Sequence, residues 1–187
     1  MERMRGASVG NLARAMAMAV LLLCVGLLPP PAGAQDKPLS AYFRETWTTR
    51  QGLPHNQVNA IAQTPDGYLW FGTWEGLVRY NGLEFHAFDR GNTPALKDNG
   101  VRSVRASADG AVVIGTSRGG VTVKRGELWR TWMVKDGLAQ EEIMDAMLDR
   151  KGRLWVATED SGIDLVDGDK VVHRSEEHTS ELQSLTT

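Results

Sequence analysis

The sequence predicts an all-β fold, a fragment of a β-propeller. It is expected to form about three four-stranded antiparallel blades, an open arc of a ring of seven. Three observations carry this. Asp66-Gly67-Tyr68-Leu69-Trp70-Phe71-Gly72-Thr73 returns at Asp109 to Thr116 and again at Lys151 to Thr158, with the turn glycines Gly67, Gly110 and Gly152 spaced 43 and 42 residues apart. Self-similarity at about 40–45 residues is the signature of a repeat array. Each period also divides into four short apolar-rich runs separated by turn residues, which is an antiparallel meander. Finally, Leu69-Trp70-Phe71 and Val112-Val113-Ile114 are apolar at consecutive positions. A strand with one wet face alternates, so these need cover on both sides. Sheets stacked face to face around an axis supply that cover.

Taken in order, residues 1–34 read as a secretory signal. Arg3, Arg5 and Arg14 make a basic start, Ala15 to Leu28 is apolar, and Ala32-Gly33-Ala34 is a small-residue cleavage motif. Fourteen apolar residues are short for a membrane span, which needs roughly 20. Cys24, the single cysteine, lies in this run as apolar filler. The mature chain then has no thiol, so disulfides, thiolate zinc sites and cysteine catalysis are excluded. Residues 35–40 form a polar leader.

The propeller segment is expected over residues 41–173. Tyr42 to Thr48 alternates aromatic or β-branched with polar residues and predicts a lone strand over 42–48, of the type that ends each repeat. Blades follow at about 53–88, 96–133 and 138–173. In the first, strands are expected at Val58 to Ala62, Leu69 to Thr73, Leu77 to Tyr80 and Glu84 to Phe88, with Asn81-Gly82 as the hairpin signal before the last. In the second they fall at Val101 to Ala106, Val112 to Thr116, Val121 to Lys124 and Leu128 to Met133. In the third they fall at Ile143 to Leu148, Arg153 to Thr158, Ile163 to Val166 and Val171-Val172. The small residues Gly72, Gly115 and Ala157 mark places where neighbouring backbones crowd. Three blades fall short of the 4–8 that propellers need, so the chain by itself is expected to be unstable or aggregation-prone.

The stretch from Arg174 to Ser184 resembles the translation of a sequencing adapter and is polar where a further repeat would begin. Residues 174–187 are therefore expected to be a non-native tail, and Glu176, Glu177 and His178 belong to no site.

Gly52-Leu53-Pro54-x-Asn56-x-Val58, then Asp66-Gly67-x-Leu69-Trp70-x-Gly72-Thr73, then Gly76-Leu77 and Tyr80, resemble the two-component regulator propeller repeat. The second copy departs at Val113 and Ala95, and the third at Ala139 and Ala157. The resemblance implies the N-terminal extracytoplasmic, periplasmic sensor of a membrane-bound signalling protein. Its output would be a diguanylate cyclase or a histidine kinase, and its ligand a small molecule such as an oligosaccharide. A homodimer of the full-length protein is a further implication, with the membrane reached through segments absent from this chain. A secreted propeller enzyme or lyase acting on polysaccharide is the alternative.

Alternating strands place Pro54 to Asn56, Trp74-Glu75, Ala95 to Asn99, Ser117-Arg118 and Glu159-Asp160 on one edge. There His55, Trp74, Glu75 and Arg118 are the candidate ligand-binding residues: an indole for stacking, a carboxylate and a cation for hydroxyls. Trp74 can equally pack against its neighbouring blade. Asn56 and Asn99 read as loop residues that bond their own backbone. Gly67, Trp70, Gly72, Thr73, Gly110, Gly115, Thr116, Gly152, Trp155 and Thr158 read as structural repeat positions, with Trp70 and Trp155 in the core. No catalytic residue, cofactor or metal site is expected. His55, His86 and His173 lack metal-ligand spacing. A net charge of −2 without a basic cluster predicts no nucleic-acid partner.

Overall fold

The computed structural model describes residues 43–174. The signal and leader expected over residues 1–40, with Cys24, and the tail from Ser175 onward lie outside the described residues. The described residues from Thr46 onward belong to one compact unit, which holds all the regular structure described here.

Among the described residues, twelve strands form three four-stranded antiparallel sheets, each a meander in chain order. The first contains β1 (Val58–Gln63), β2 (Leu69–Thr73), β3 (Gly76–Tyr80) and β4 (Phe85–Phe88). The second contains β5 (Val101–Ala106), β6 (Val112–Thr116), β7 (Val121–Arg125) and β8 (Leu128–Trp132). The third contains β9 (Ile143–Leu148), β10 (Leu154–Thr158), β11 (Ile163–Asp167) and β12 (Lys170–Arg174). Short 3-10 turns at Thr49–Gln51 and Val134–Asp136 precede the first and third sheets. This is the all-β propeller arrangement. No helix among the described residues is long and apolar enough to cross a membrane.

Cores form between sheets, as the unbroken apolar runs require. Trp70 and Leu77 of the first sheet pack with Val101, Val104, Val112 and Ile114 of the second. Val113, Val121 and Val123 on its other face pack with Ile143, Leu154, Val156 and Val166 of the third. Each repeat adds one buried leucine from the loop before it, Leu53, Leu96 or Leu138, worth about 1.5–3 kcal/mol apiece relative to exposure. The glycines at the close approach are explained directly. A Cβ on Gly72 would lie 2.6 Å from Val101 Cγ1, and one on Gly115 would lie 2.8 Å from Ile143 Cγ2, both in the next sheet.

The repeated threonine is a loop clamp. Thr73, Thr116 and Thr158 donate Oγ1–H to Gly76 O (2.8 Å), Gly120 O (2.8 Å) and Gly162 O (3.0 Å). The same hydroxyls accept from the amides of Glu75, Gly119 and Ser161. Gly67, Gly110 and Gly152 close the opposite turns at φ of 90°, 81° and 76°, a region that side chains with a Cβ rarely enter.

Three expectations are corrected. Residues 43–48 form no strand, although Thr48 is extended at φ −135° and ψ −175°; a strand needs a ladder partner, and none of the described strands pairs with them. Tyr42 lies outside the described residues. Trp47 nonetheless covers the first sheet, with its ring centroid 4.8 Å from Tyr80 and 5.5 Å from Phe85. The hairpin signalled by Asn81-Gly82 forms, but its last strand starts at Phe85 and not at Glu84: Tyr80 pairs with Phe85, and four residues make the loop. Asn81 Oδ1 accepts from the amides of Leu83 (2.8 Å) and Glu84 (2.7 Å), so it organises the wider turn instead. Lastly, Trp155 is only partly buried and Ile163 is exposed, whereas Trp70 and Leu77 at the same repeat positions are fully buried. No described strand packs on that face of the third sheet.

Candidate functional site

The loops between β2 and β3, β6 and β7, and β10 and β11 share one edge with the segments that lead into β1, β5 and β9. All four candidate ligand residues stand on it. Trp74 is 37% exposed, Glu75 and Arg118 are exposed, and His55 is half-buried. No hydrogen bond or ion pair joins these four side chains among the described residues. His55 Nδ1 accepts locally from Gln57 N at 3.0 Å. The Arg118 amide donates to Asp98 Oδ2 at 3.0 Å, which leaves its guanidinium without a protein partner among the described residues.

The loops themselves are held by one device used twice. Arg118 N donates to Asp98 Oδ2, and Asp160 N donates to Gln140 Oε1 at the equivalent position (both 3.0 Å). Ser117 N to Gly100 O and Glu159 N to Glu142 O repeat in the same way. His55 occupies the Asp98 position in the first repeat, where the shorter Trp74-Glu75 loop leaves it to Gln57. Asn56 Oδ1 accepts from Thr49 N (2.8 Å), and Asn99 Oδ1 from Arg90 N (3.0 Å). Both asparagines therefore brace the connecting segment that leads into β1 or β5 by accepting from the start of that same segment.

What the structure does bring together is a polar wall on the first strand of each sheet. β1, β5 and β9 enclose a concavity of about 580 Å³ lined by Asn59 to Gln63, Arg102 to Ala106, Met144 and Asp145. Each of these strands has a β-bulge at the same place, next to Val58, Val101 and Ile143. The bulge residue reaches the next sheet. Asn59 Nδ2 donates to Val101 O at 2.9 Å, and Arg102 Nη1 pairs with Glu159 Oε2 at 2.8 Å and meets Met144 Sδ at 3.2 Å. Arg105 holds Asp145 with two hydrogen bonds, Nη2 to Oδ2 at 2.6 Å and Nε to Oδ1 at 3.2 Å.

Sequence reasoning missed Asn59, Arg102, Arg105 and Asp145. In an unbroken strand residues 102 and 105 project to opposite faces. The bulge removes one step of alternation, so both arginines point at the third sheet. Nothing in Val101 to Ala106 announces a bulge, but its recurrence at matching positions of three repeats is a signal an aligned reading can use.

Electrostatically, the wall is a place for binding more than for acid chemistry. The Arg105 hydrogen bonds and its charge hold Asp145 below the ordinary carboxylate range, against the upward push of burial, and the Arg105 pKa is raised in return. Asp109 is lowered too, first by the Ser107 hydroxyl, then by the Ala111 amide and Arg125. Partial burial pushes Asp149 up. Hydrogen bonds from the Trp155 indole, the Arg153 side chain and the Arg153 and Lys151 amides outweigh it and bring Asp149 well below the usual range. Among the described residues no three His, Cys, Asp or Glu side chains come together as metal ligands.

These shifts predict an acid-labile component of stability. All three carboxyls have folded pKa values below their unfolded ones. Their contribution is therefore complete above about pH 5 and lost as pH falls through the unfolded value toward the depressed folded ones. Urea midpoints should drop steeply between pH 5 and pH 2, by less in Asp149→Asn. An equal drop in that variant would show that the Asp149 bonds contribute nothing.

Residues 52–75 and 137–160 match the family described as two component regulator propeller. Among solved structures, the chain is similar to the extracellular domain of a hybrid two-component system, BT3049, from B. thetaiotaomicron. The TM-score is 0.63 at 23% identity, covering 71% of this chain and 20% of that one. A second extracellular domain from that organism, BT4673, gives 0.54 at 22% identity, covering 65% and 19%. Virginiamycin B lyase from Staphylococcus aureus gives 0.50 at 14% identity, covering 63% and 41%. These likenesses show the fold, a β-propeller, and this chain spans about a fifth of the two extracellular domains. No curated protein matches the sequence.

Proposed function

We propose that this chain, which carries two-component regulator propeller repeats at residues 52–75 and 137–160, is the N-terminal, extracytoplasmic ligand-sensing part of a membrane-bound signal-transduction protein. The output is a diguanylate cyclase or a histidine kinase beyond the propeller, and the location is periplasmic once the signal is removed. The ligand is a small polyhydroxylated molecule such as an oligosaccharide, met on the loop edge by His55, Trp74, Glu75 and Arg118. The full-length protein works as a homodimer.

The repeat match is the observation that carries this reading. The fold shared with two solved extracellular domains of hybrid two-component systems supports it, and so does the chemistry of the wall. Glycosidic cleavage needs two carboxyls poised across a cleft, one of them kept protonated. Asp145 and Glu159 are each held by an arginine, and Asp145 is pushed the wrong way for a general acid. This counts against polysaccharide cleavage on the wall.

Sequencing the genomic locus through the codons for His173 and Arg174 tests the proposal. The expected result is further propeller repeats, a membrane helix and a cyclase or kinase domain in the same frame. A stop codon soon after the third repeat would refute it.

A further inference from the structure

The cleft between the first and second sheets opens on the edge away from the candidate ligand loops. It measures about 390 Å³, with the turns Thr64 to Asp66 and Ala108 to Gly110 at its rim. Each sheet contributes one cation to it, Arg79 from β3 and Lys124 from β7. The Arg79 guanidinium lies 4.7 Å from the Tyr68 ring centre and 6.0 Å from that of Trp70. The Lys124 ammonium lies 5.8 Å from the Trp70 ring centre and 5.5 Å from that of Trp129.

Neither charge is neutralised among the described residues. Arg79 is half-buried, yet its guanidinium forms no ion pair and donates to no protein oxygen there. Lys124 is only 8% exposed, and its ammonium reaches a single acceptor, the Gly126 carbonyl. The two carboxylates of the cleft are engaged elsewhere. Asp66 accepts from the Thr64 hydroxyl and the Tyr68 amide, and Asp109 from Ser107 and Arg125. A buried ammonium without a counter-charge is costly, and ring faces offset only part of that cost. Closing the sheets does not explain the two cations either. Strand register puts Val123 at the Arg79 position and Val166 at the Lys124 position of the next pair of sheets. Both valines pack in the core there, so an apolar pair closes the equivalent interface.

We infer that the cleft between the first and second sheets is a binding site for a dianionic oxyanion, a phosphate or a phosphomonoester, held between Arg79 and Lys124. The guanidinium fork offers paired N–H donors that match a phosphate edge, and the ammonium supplies the second positive charge. The volume lies within the roughly 300–1,000 Å³ of small-molecule pockets, which leaves room for the group that an ester carries. The site stands on the opposite edge from the loop residues proposed above and does not depend on them.

Equilibrium dialysis of the full chain against radiolabelled inorganic phosphate, and against glycerol 2-phosphate, tests it at pH 8 and fixed ionic strength with chloride as the balancing anion. Saturable binding of at least one probe is expected, and the tighter of the two identifies the free ion or the ester as the ligand. Arg79→Gln removes the charge of a half-buried side chain and should weaken that probe about tenfold. Lys124→Met should weaken it by a similar factor. Arg130→Gln removes an exposed arginine outside the cleft and should leave the affinity unchanged. The site is overturned if neither probe saturates, if Arg79→Gln binds as the parent chain does, or if Arg79→Gln and Arg130→Gln lose affinity equally. Lys124 is buried, so if Lys124→Met lacks the native circular dichroism spectrum, the two arginine variants decide.

Discussion

Gly120→Ala is expected to destabilise the chain by about 3 kcal/mol or more, a large part of the 5–15 kcal/mol that holds a typical domain. Gly120 sits at φ 69° in the loop between β6 and β7. An added Cβ would be driven into the carbonyl oxygen of Trp132 at the end of β8. That atom is backbone, so no rotamer change relieves the clash. The position is also a junction: the Gly120 amide donates to Glu141 O of the third repeat at 3.1 Å, and its carbonyl accepts from both Thr116 groups. The matching Gly76 repeats the constraint, since a Cβ added there would lie 2.7 Å from Phe88 O.

The control is Gly110→Ala. Gly110 has a similar φ of 81° but nothing within 4 Å of its Cβ position, so only the left-handed backbone is penalised, at about 1 kcal/mol. Urea denaturation of both variants separates the terms. If the two lose the same stability, the close approach to β8 is not what selects glycine at 120.

Asp164→Val should cost about 3 kcal/mol, because it breaks a buried polar arrangement. Asp164 is fully buried in β11, and its two oxygens are both engaged. Oδ2 accepts from the Ala139 amide at 2.9 Å, and Oδ1 lies 2.8 Å from His173 Nδ1 on the paired strand β12. The first repeat shows the apolar solution to the same geometry. Pro54 stands at the Ala139 position and has no N–H, and Val78 stands fully buried at the Asp164 position. The second repeat uses Thr122, which shares a hydrogen bond with Thr131 (2.9 Å), and Thr131 donates to Ala95 O (2.7 Å).

This pairing of loop amide with strand acceptor predicts coupling. Ala139→Pro alone removes the donor and strands part of a buried carboxylate, so it should destabilise. In the Asp164→Val background the same change should cost at least about 1 kcal/mol less. His173→Ala, which leaves the Ala139 bond in place, should cost only about 1 kcal/mol. Strict additivity of Ala139→Pro and Asp164→Val would rule the coupling out.

Much of this was legible in the residues. Leu69–Thr73, Val101–Ala106, Val112–Thr116 and Ile143–Leu148 are strands with the expected ends, because turn glycines and apolar runs are local signals. The loop edge that carries His55, Trp74, Glu75 and Arg118 also followed from counting strands, since each reversal sends the chain to the other edge. Register within a strand did not follow. A bulge at Arg102 is a long-range compromise between β5, β6 and the neighbouring sheet, and it alone decides that Arg102 and Arg105 face Glu159 and Asp145.

By itself, then, the sequence determined the repeat length, the order of strands within each sheet and the need for sheets to bury one another, all consequences of spacing and of solvent. Only the tertiary structure decided which equivalent positions meet across a cleft. Val113, one of the departures from the repeat, thus packs with Val123 and Val166 in the core between the second and third sheets. The tertiary structure also decided that Asp164, a polar residue within the expected strand Ile163 to Val166, is fully buried and bonded to the Ala139 amide. Burial and pairing depend on neighbours outside the local run, such as Ala139 for Asp164 and Glu159 for Arg102, and a local pattern carries no record of them.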